Sequence, residues 1–411
     1  MSATCVVFDC RLPAAPVPVG SFGLDELGDG HFAYGRHYVD KPVAFDLDPV
    51  HLPRSLQVQR VPRHPDGSYG VLSDAGPNAW GVKLTASLLR RRKRPLPANP
   101  VEWLLQSWHY GAGCLGFSAN REELPDLGVV AAAATDLSAK LLRALDRLST
   151  DPDAVLTDAD ARLLVPGASL GGVRPKTVVL HGGREHIAKF SRPDDVFDVP
   201  TAEYAAMALA HRAGIATPDF ELIDIGGRPA FLIERFDRTA TGERRHYLSA
   251  FSLLAPTGVT MDGLALTTRY SYAGIAEAMR PFNINGVGDS HQLFRRMVFN
   301  ILVGNVDDHL RNHALLMAEP GRFVLSPAFD IVPHPAAAAA PQSIGVGALG
   351  AASTTANALT QCGRFQLKPA EARTIIDEVK AVVTTWRDEF ANAGVSGRDR
   401  AILASCIDVD R

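Results

Sequence analysis

The stretch Asn305-Val306-Asp307-Asp308-His309-Leu310-Arg311-Asn312 is followed, eighteen residues past Asn312, by Asp330 in Ser326-Pro-Ala-Phe-Asp-Ile-Val-Pro333. An Asp, an Asn five positions on and a second Asp after a short strand suit phosphoryl transfer from ATP. Such a site takes a proton from the attacking hydroxyl and holds Mg2+ on the nucleotide phosphates, and one short loop carrying Asp307 and Asn312 serves both needs. Asp307 is the expected base. Asn312 offers a neutral amide oxygen, and Asp330 a carboxylate, to a hard, oxygen-preferring Mg2+. Asp308 stands one residue too close to Asn312 for this spacing. The pattern departs from that of eukaryotic protein kinases: no His-Arg precedes Asp307, and Asp330 lies between Phe329 and Ile331 instead of heading Phe-Gly. The plainer reading makes Gly304 to Asp308 the end of one helix and the cap of the next. His309 and His313 have the i, i+4 spacing of a metal pair but lack the Glu-containing signature of a zinc site.

Working outward, the site needs a lysine on a sheet and an acid to orient it. In His186-Ile-Ala-Lys189-Phe190, a β-type segment, Lys189 takes the place of the phosphate-pairing lysine, and Glu203 near the start of the next helix is its expected partner. Alternatively Lys189 is a snorkelling edge lysine and Glu203 a carboxylate favoured by the helix N-terminus. Upstream, Pro166-Gly-Ala-Ser169-Leu-Gly171-Gly172-Val173-Arg174-Pro175-Lys176 enters the first strand, and its paired glycines let backbone N–H groups approach phosphates. It is no Walker A loop, because Pro175 occupies the position where Gly is required before Lys-Thr. At the far side of the sheet, Phe231-Leu-Ile-Glu234-Arg235-Phe236-Asp237-Arg238 reads as the connection between lobes, where backbone groups can bond adenine. Arg235 and Arg238 are equally readable as structural ion-pair donors.

The hydrophobic periodicity predicts an α+β chain: a two-lobed, protein-kinase-like fold with a small β-rich N-terminal module and a mainly helical C-terminal lobe. Residues 1–125 alternate short apolar runs with Gly and Pro and form the module. Residues 126–236 supply a connecting amphipathic helix over 136–148, capped near Thr135 or Asp136, then strands at Thr177–Leu180, His186–Phe190, Glu221–Ile225 and Ala230–Glu234 around a helix from Ala202 to Ala213. Residues 237–411 form the helical lobe. There Ser290 caps a helix running into the Asp307 loop, and Pro369 opens another that carries Ile375 through Trp386 and closes near Gly394. Pro335 to Pro341 encloses an alanine run expected at the surface.

Charge excludes some partners. The 42 basic and 45 acidic residues nearly cancel, so no global field draws the chain to nucleic acid or membrane. The one dense basic run, Arg90 to Arg94, reads as a solvated helix end or a local contact to DNA phosphates. Five scattered cysteines without ligand spacing fit a reducing cytoplasm, and no apolar run is long enough to span a bilayer.

Four motifs together resemble those of the HipA-like serine/threonine kinases, toxins of bacterial toxin–antitoxin pairs: Ser169 to Lys176, Glu234-Arg-Phe-Asp-Arg238, Asn305 to Asn312, and Pro327-Ala-Phe-Asp-Ile-Val-Pro333. Phe32-Ala-Tyr34 and Gly70-Val-Leu-Ser-Asp-Ala-Gly-Pro-Asn-Ala-Trp80-Gly81 are similar to that family's amino-terminal module, so the resemblance covers nearly the whole chain. It implies Asp307 as catalytic base, His309 and Asn312 against phosphates and metal, Asp330 on Mg2+, Lys189 on phosphates, Gly171 to Lys176 covering them, and Glu234 to Phe236 holding adenine. Ser169 matches the serine that these kinases autophosphorylate, a modification that would eject the loop by its added charge. The resemblance further implies a translation-associated protein substrate such as an aminoacyl-tRNA synthetase, and a small helix-turn-helix antitoxin that carries the kinase to operator DNA. The competing readings are a small-molecule kinase of the same distant fold and an inactive, kinase-like co-repressor.

Overall fold

The computed structural model describes residues 3–107, 111–124, 131–151, 153–164, 166, 172–256, 263–337 and 340–411. In the amino-terminal module, β1 (Thr4–Asp9), β2 (Val17–Leu24), β3 (Gly30–Tyr34), β4 (Gln59–Val61) and β5 (Leu115–Ser118) make a sheet of order β4-β3-β2-β1-β5. All its pairings are antiparallel. In β3 the buried residues alternate, Gly30, Phe32 and Tyr34 facing in, as a half-buried strand requires.

A helix of this module, α1 (Trp80–Arg91), leaves its own sheet. Its Trp80, Leu84 and Leu88 join Leu141, Leu145 and Leu148 of α2 (Ala139–Thr150), with Phe190 and Leu232, in one buried cluster. The expected boundary near residue 125 therefore does not separate two cores. Helix α2 also starts later than predicted, with Ser138 at its N-cap. Asp136 instead serves a 3-10 turn over Ala134–Asp136, its carboxylate accepting from Ala133 N at 3.2 Å, so that turn takes the bond a cap would have used.

The second sheet holds β6 (Ala132–Ala133), β7 (Lys176–His181), β8 (Arg184–Phe190), β9 (Phe220–Ile225) and β10 (Arg228–Glu234), in the order β6-β7-β8-β10-β9. The predicted strands are all present, each lengthened by one or two residues. Between β8 and β9 runs α3 (Val199–Arg212), which starts before Ala202 because Asp198 caps it and Pro200 suits its first turn.

The remainder is mainly helical around a three-stranded sheet of β11 (Tyr247–Ser249), β12 (Ala314–Glu319) and β13 (Arg322–Leu325). Its central helix α4 (Val287–Val303) begins after Gly286, so Ser290 lies inside the first turn and is not the cap. Gly286 at φ 51° makes the entry turn itself, with its N–H on Asn283 Oδ1 at 2.7 Å. The helix stops at Gly304, left-handed at φ 68°, where a Cβ would also meet Cys406 O at 2.5 Å. Near the chain end, α5 (Pro369–Val383) is shorter than predicted. Thr384 and Thr385 turn their hydroxyls back onto Lys380 O and Val382 O, and Trp386 opens a separate helix, Trp386–Asn392. One core runs from Cys5 to Ile407 and joins module, α3 and helical lobe. The five cysteines are all free and buried. Among the described residues no helix is long and apolar enough to cross a membrane.

Candidate functional site

Gly304 aims the loop that follows it, and within that loop two adjacent carboxylates meet opposite surroundings. Asp308 is buried and accepts from Tyr272 Oη at 2.6 Å, Asn300 Nδ2 at 2.6 Å and His313 Nε2 at 3.0 Å. Burial alone would raise its pKa, but the charge and hydrogen bond of His313 and the Tyr272 bond hold it below the usual carboxylate range. Asp307 is exposed. The buried Asn312 has Nδ2 3.5 Å from Asp307 O and donates its backbone N–H to His309 O, while His309 is itself exposed. The loop is fastened from outside by Arg311, which pairs with Asp66 of the module and lies 3.5 Å from the centre of the Phe251 ring.

The segment carrying Asp330 is tied at both ends to the residues that flank this loop. Ser326 N donates to Ala314 O at 2.8 Å and His334 N to Gly304 O at 3.0 Å. Asp330 itself sits at φ 60°, a left-handed conformation that costs a non-glycine residue about 1–3 kcal/mol and is concentrated at functional sites. Its side chain is 42% exposed, so the carboxylate remains open to a ligand.

Lys189, from β8, reaches both acids. Its Nζ lies 2.6 Å from Glu203 Oε1 on α3 and 2.6 Å from Asp330 Oδ1. Burial would lower its pKa, yet Asp330 and Glu203 together raise it above the ordinary lysine value; Asp330 in turn is drawn well down, chiefly by Lys189 and then Lys176, against the upward push of burial. Lys176 is the cross-strand partner of Lys189, two cations directly opposite on one sheet face. Burial, and next the Lys189 charge, bring Lys176 down to about 8.

Of the glycine-rich loop, Gly172 stands at φ 82° and a Cβ there would meet Lys176 Nζ at 2.5 Å. Val173 is exposed, Arg174 pairs with Asp195 at 2.8 Å, and Pro175 O accepts from Phe190 N at 3.1 Å. Ser169 and Gly171 lie outside the described residues.

The expected lobe connection divides in two. Phe236 sets its ring 5.3 Å from that of Phe329, the neighbour of Asp330, and Glu234 pairs with Arg184 at 2.6 Å. The Arg235 guanidinium is committed elsewhere: it holds Asp237 at 2.8 and 3.0 Å and Gly111 O at 2.9 Å. Arg238 adds bonds to Asp237 and Gly113 O, and Gly113 N–H returns to Asp237 at 2.7 Å. This buried clasp joins the lobe to the module, so Arg235 brings its side chain to structure and not to the cleft. Asp237, standing between two arginines in Glu-Arg-Phe-Asp-Arg, was the legible sign of it. Tyr272 and Asn300, which hold Asp308, have no sequence signal, because only the fold brings them to the loop.

The zinc spacing is not realised, since His313 is buried against Asp308 while His309 is exposed. Among the described residues no group of three or more His, Cys, Asp or Glu can hold a metal. Asp330 supplies a carboxylate oxygen and Asn312 an amide oxygen, the hard donor types that suit Mg2+ when phosphates and water complete its shell. In the basic run, Arg90 pairs with Asp153 at 3.2 Å and Arg91 Nη1 donates to Leu156 O at 2.9 Å, so these two secure the chain that follows α2.

Comparison with known proteins finds relatives of the chain and of its fold. The chain is 30% identical over 146 residues to "Putative kinase Y4dM" of Sinorhizobium fredii, covering 33% of this chain and 34% of the relative. It is 26% identical over 191 residues to the serine/threonine-protein kinase toxin HipA of Shewanella oneidensis, covering 41% and 43%. The matched regions thus span a third to under half of these relatives' lengths. The solved complex of Shewanella oneidensis HipA with HipB and its operator DNA shares the fold over 94% of this chain and 92% of that one, with a TM-score of 0.61 and 17% identity. The HipA-like C-terminal domain matches residues 168–386, more than half of the sequence and the region that holds Lys189, Asp307 and Asp330, and the chain belongs to that family.

Proposed function

We propose that the protein is an ATP- and Mg2+-dependent serine/threonine protein kinase, the toxin of a bacterial toxin–antitoxin pair. The observation that carries the kinase reading is Lys189, joined at 2.6 Å to both Glu203 and Asp330 beside a loop whose one exposed carboxylate is Asp307. Mg2+ bound with ATP supplies charge to neutralise the phosphates. Asp330 and Asn312 hold it, and Lys189, kept protonated by its two acids, bonds the phosphate oxygens. Asp307 takes the proton of the substrate hydroxyl as the hydroxyl oxygen bonds to the γ-phosphorus and the bond to ADP breaks. Asp308 fixes the loop so that Asp307 stays outward. The loop Gly171 to Lys176 covers the phosphates, His309 lies against them, and the backbone of Glu234 to Phe236 holds adenine with Phe236 and Phe329 at its edge.

The finer assignments follow the family. Ser169 is the site of autophosphorylation, the substrate is a translation-associated protein such as an aminoacyl-tRNA synthetase, and a small helix-turn-helix antitoxin links this cytoplasmic kinase to DNA. The test is incubation of wild type and Ser169→Ala with labelled ATP and Mg2+, alone and with cell lysate, followed by phosphosite mapping. Label on Ser169 and on a discrete lysate protein, the latter retained in Ser169→Ala, is expected. Label confined to small molecules, or no transfer at all, overturns the protein-kinase reading.

A further inference from the structure

Trp80 belongs to the amino-terminal module by sequence, yet both of its N–H donors serve the glycine-rich loop. Its backbone N–H donates to Gly172 O at 2.9 Å, and its indole Nε1–H donates to Lys176 O, 96 positions away, also at 2.9 Å. These acceptors are the two ends of the described part of the loop. The indole is 1% exposed and seated among Leu84, Leu88 and Leu141, so it is a fixed post and not a swinging side chain. The residue before it, Ala79, is held at φ 31° and ψ −89°, a conformation that L residues with a side chain rarely adopt and that persists only where the surroundings determine it. Inside the loop, Lys176 Nζ passes so near Gly172 that a Cβ there would stand 2.5 Å from it. A strained entry, a buried donor and a doubled contact converge on one short backbone stretch.

We infer that Trp80 is a positioning residue for the phosphate-covering loop, through which the amino-terminal module sets the ATP affinity of the kinase site. This rests on the reading of Gly171 to Lys176 as that loop. With Gly172 and Lys176 both held, the stretch between them enters nucleotide binding already placed, and the affinity does not bear the entropy of placing it. Loss of the indole donor removes one of the tethers that hold the Lys176 end, which the β7–β8 pairing otherwise fixes, and takes a hydrogen bond from a buried carbonyl.

The test compares full-length wild type, Trp80→Phe and Leu88→Ala in Mg-ATP titration, kinase kinetics and thermal melting. Trp80→Phe keeps a buried ring and lacks only the donor and part of the ring area. It is expected to raise Kd and KM for ATP roughly tenfold, the scale of one buried hydrogen bond, with kcat within about twofold. Leu88→Ala, which removes packing from the same helix without touching a loop contact, is expected to lower the melting temperature and leave KM alone. A merely structural Trp80 would act as Leu88 does, and that result overturns the inference. Wild type that binds Mg-ATP saturably, with Trp80→Phe binding equally well, also overturns it while sparing the kinase reading; wild type that binds no Mg-ATP sinks both. Should Trp80→Phe not fold, hydrogen exchange on the wild type decides: the amides at the start of α1 gain protection on adding Mg-ATP if the coupling exists, and exchange unchanged if it does not.

Discussion

Lys189 Nζ and Asp330 Oδ1 are 2.6 Å apart across 141 positions of sequence, and the same Nζ is 2.6 Å from Glu203 Oε1. The two acids differ in a way that matters. Glu203 is 2% exposed and belongs to the interior, whereas Asp330 is 42% exposed and belongs to the cleft. Lys189 thus has one structural partner and one that a ligand can engage, which is how a single lysine can be both anchored and available.

Replacing Lys189 by Met separates these roles. Removing one partner of a buried ion pair costs about 3 kcal/mol or more, because Glu203 is left uncompensated. Turnover of ATP should fall by about 10²-fold or more, since the cation stabilises charge that develops on the phosphates. Urea denaturation and steady-state kinetics measure the two losses. The additional change Glu203→Gln should recover stability without recovering turnover; recovery of both would contradict the assignment of Lys189 to the nucleotide.

Asp307 and Asp308 should fail in opposite ways. Asp308→Ala strips the acceptor from Tyr272, Asn300 and His313 and is expected to cost about 3 kcal/mol in chemical denaturation. Asp307→Ala, at an exposed position, should shift stability by less than about 0.5 kcal/mol. Equal destabilisation by the two would show that their surroundings do not differ as described.

The clasp between lobe and module makes a third prediction. Asp237 accepts from both Arg235 and Arg238, and these guanidiniums together with the Gly113 N–H hold it far below the usual carboxylate range despite burial. Asp237→Asn leaves two buried guanidiniums with only the more distant Glu185 carboxylate, at 3.6 and 3.3 Å, and is expected to destabilise by about 3 kcal/mol. Limited proteolysis should then release the amino-terminal module sooner than in wild type.

His246 sets a pH dependence. Its ring is fully buried with Nε2 2.7 Å from Leu47 O, and burial, only partly offset by that bond, brings its pKa down to about 4. The unfolded chain has the ordinary value of about 6.5. Because the folded value is the lower one, the contribution is fully present above about pH 6.5 and is lost as pH falls toward 4, where only the unfolded state takes the proton. Between about pH 7 and 4.5 the difference in stability between wild type and His246→Gln should move by about 2.5 kcal/mol in favour of the variant. Urea midpoints at the two pH values provide the check, and a constant difference would contradict it.

The strands from β7 to β10 and the helix α3 were legible because apolar runs, Gly turns and the Asp198-Pro200 start all agree locally. Helix starts at Ser138 and Gly286 were not, since a side-chain turn at Asp136 and a positive φ at Gly286 decide them. The candidates Lys189, Glu203, Asp307, Asn312 and Asp330 are named from the types and spacings that phosphoryl transfer demands, and the fold brings Lys189, Glu203 and Asp330 into contact. Their supports cannot be named this way. Tyr272, Asn300, Asp66 and Trp80 reach the site only through tertiary contacts, and the Arg235 side chain went to a clasp whose other half, Gly111 and Gly113, lies over a hundred residues earlier. The family resemblance found the module's motif but carried no role for Trp80.

The central claim is that Asp307 is the base. It is tested most directly by steady-state turnover and Mg-ATP affinity of wild type and Asp307→Ala on a phosphorylated target identified with the wild-type enzyme. The account predicts turnover lower by roughly 10²-fold or more with ATP affinity and melting temperature retained. Turnover equal to that of wild type would contradict it.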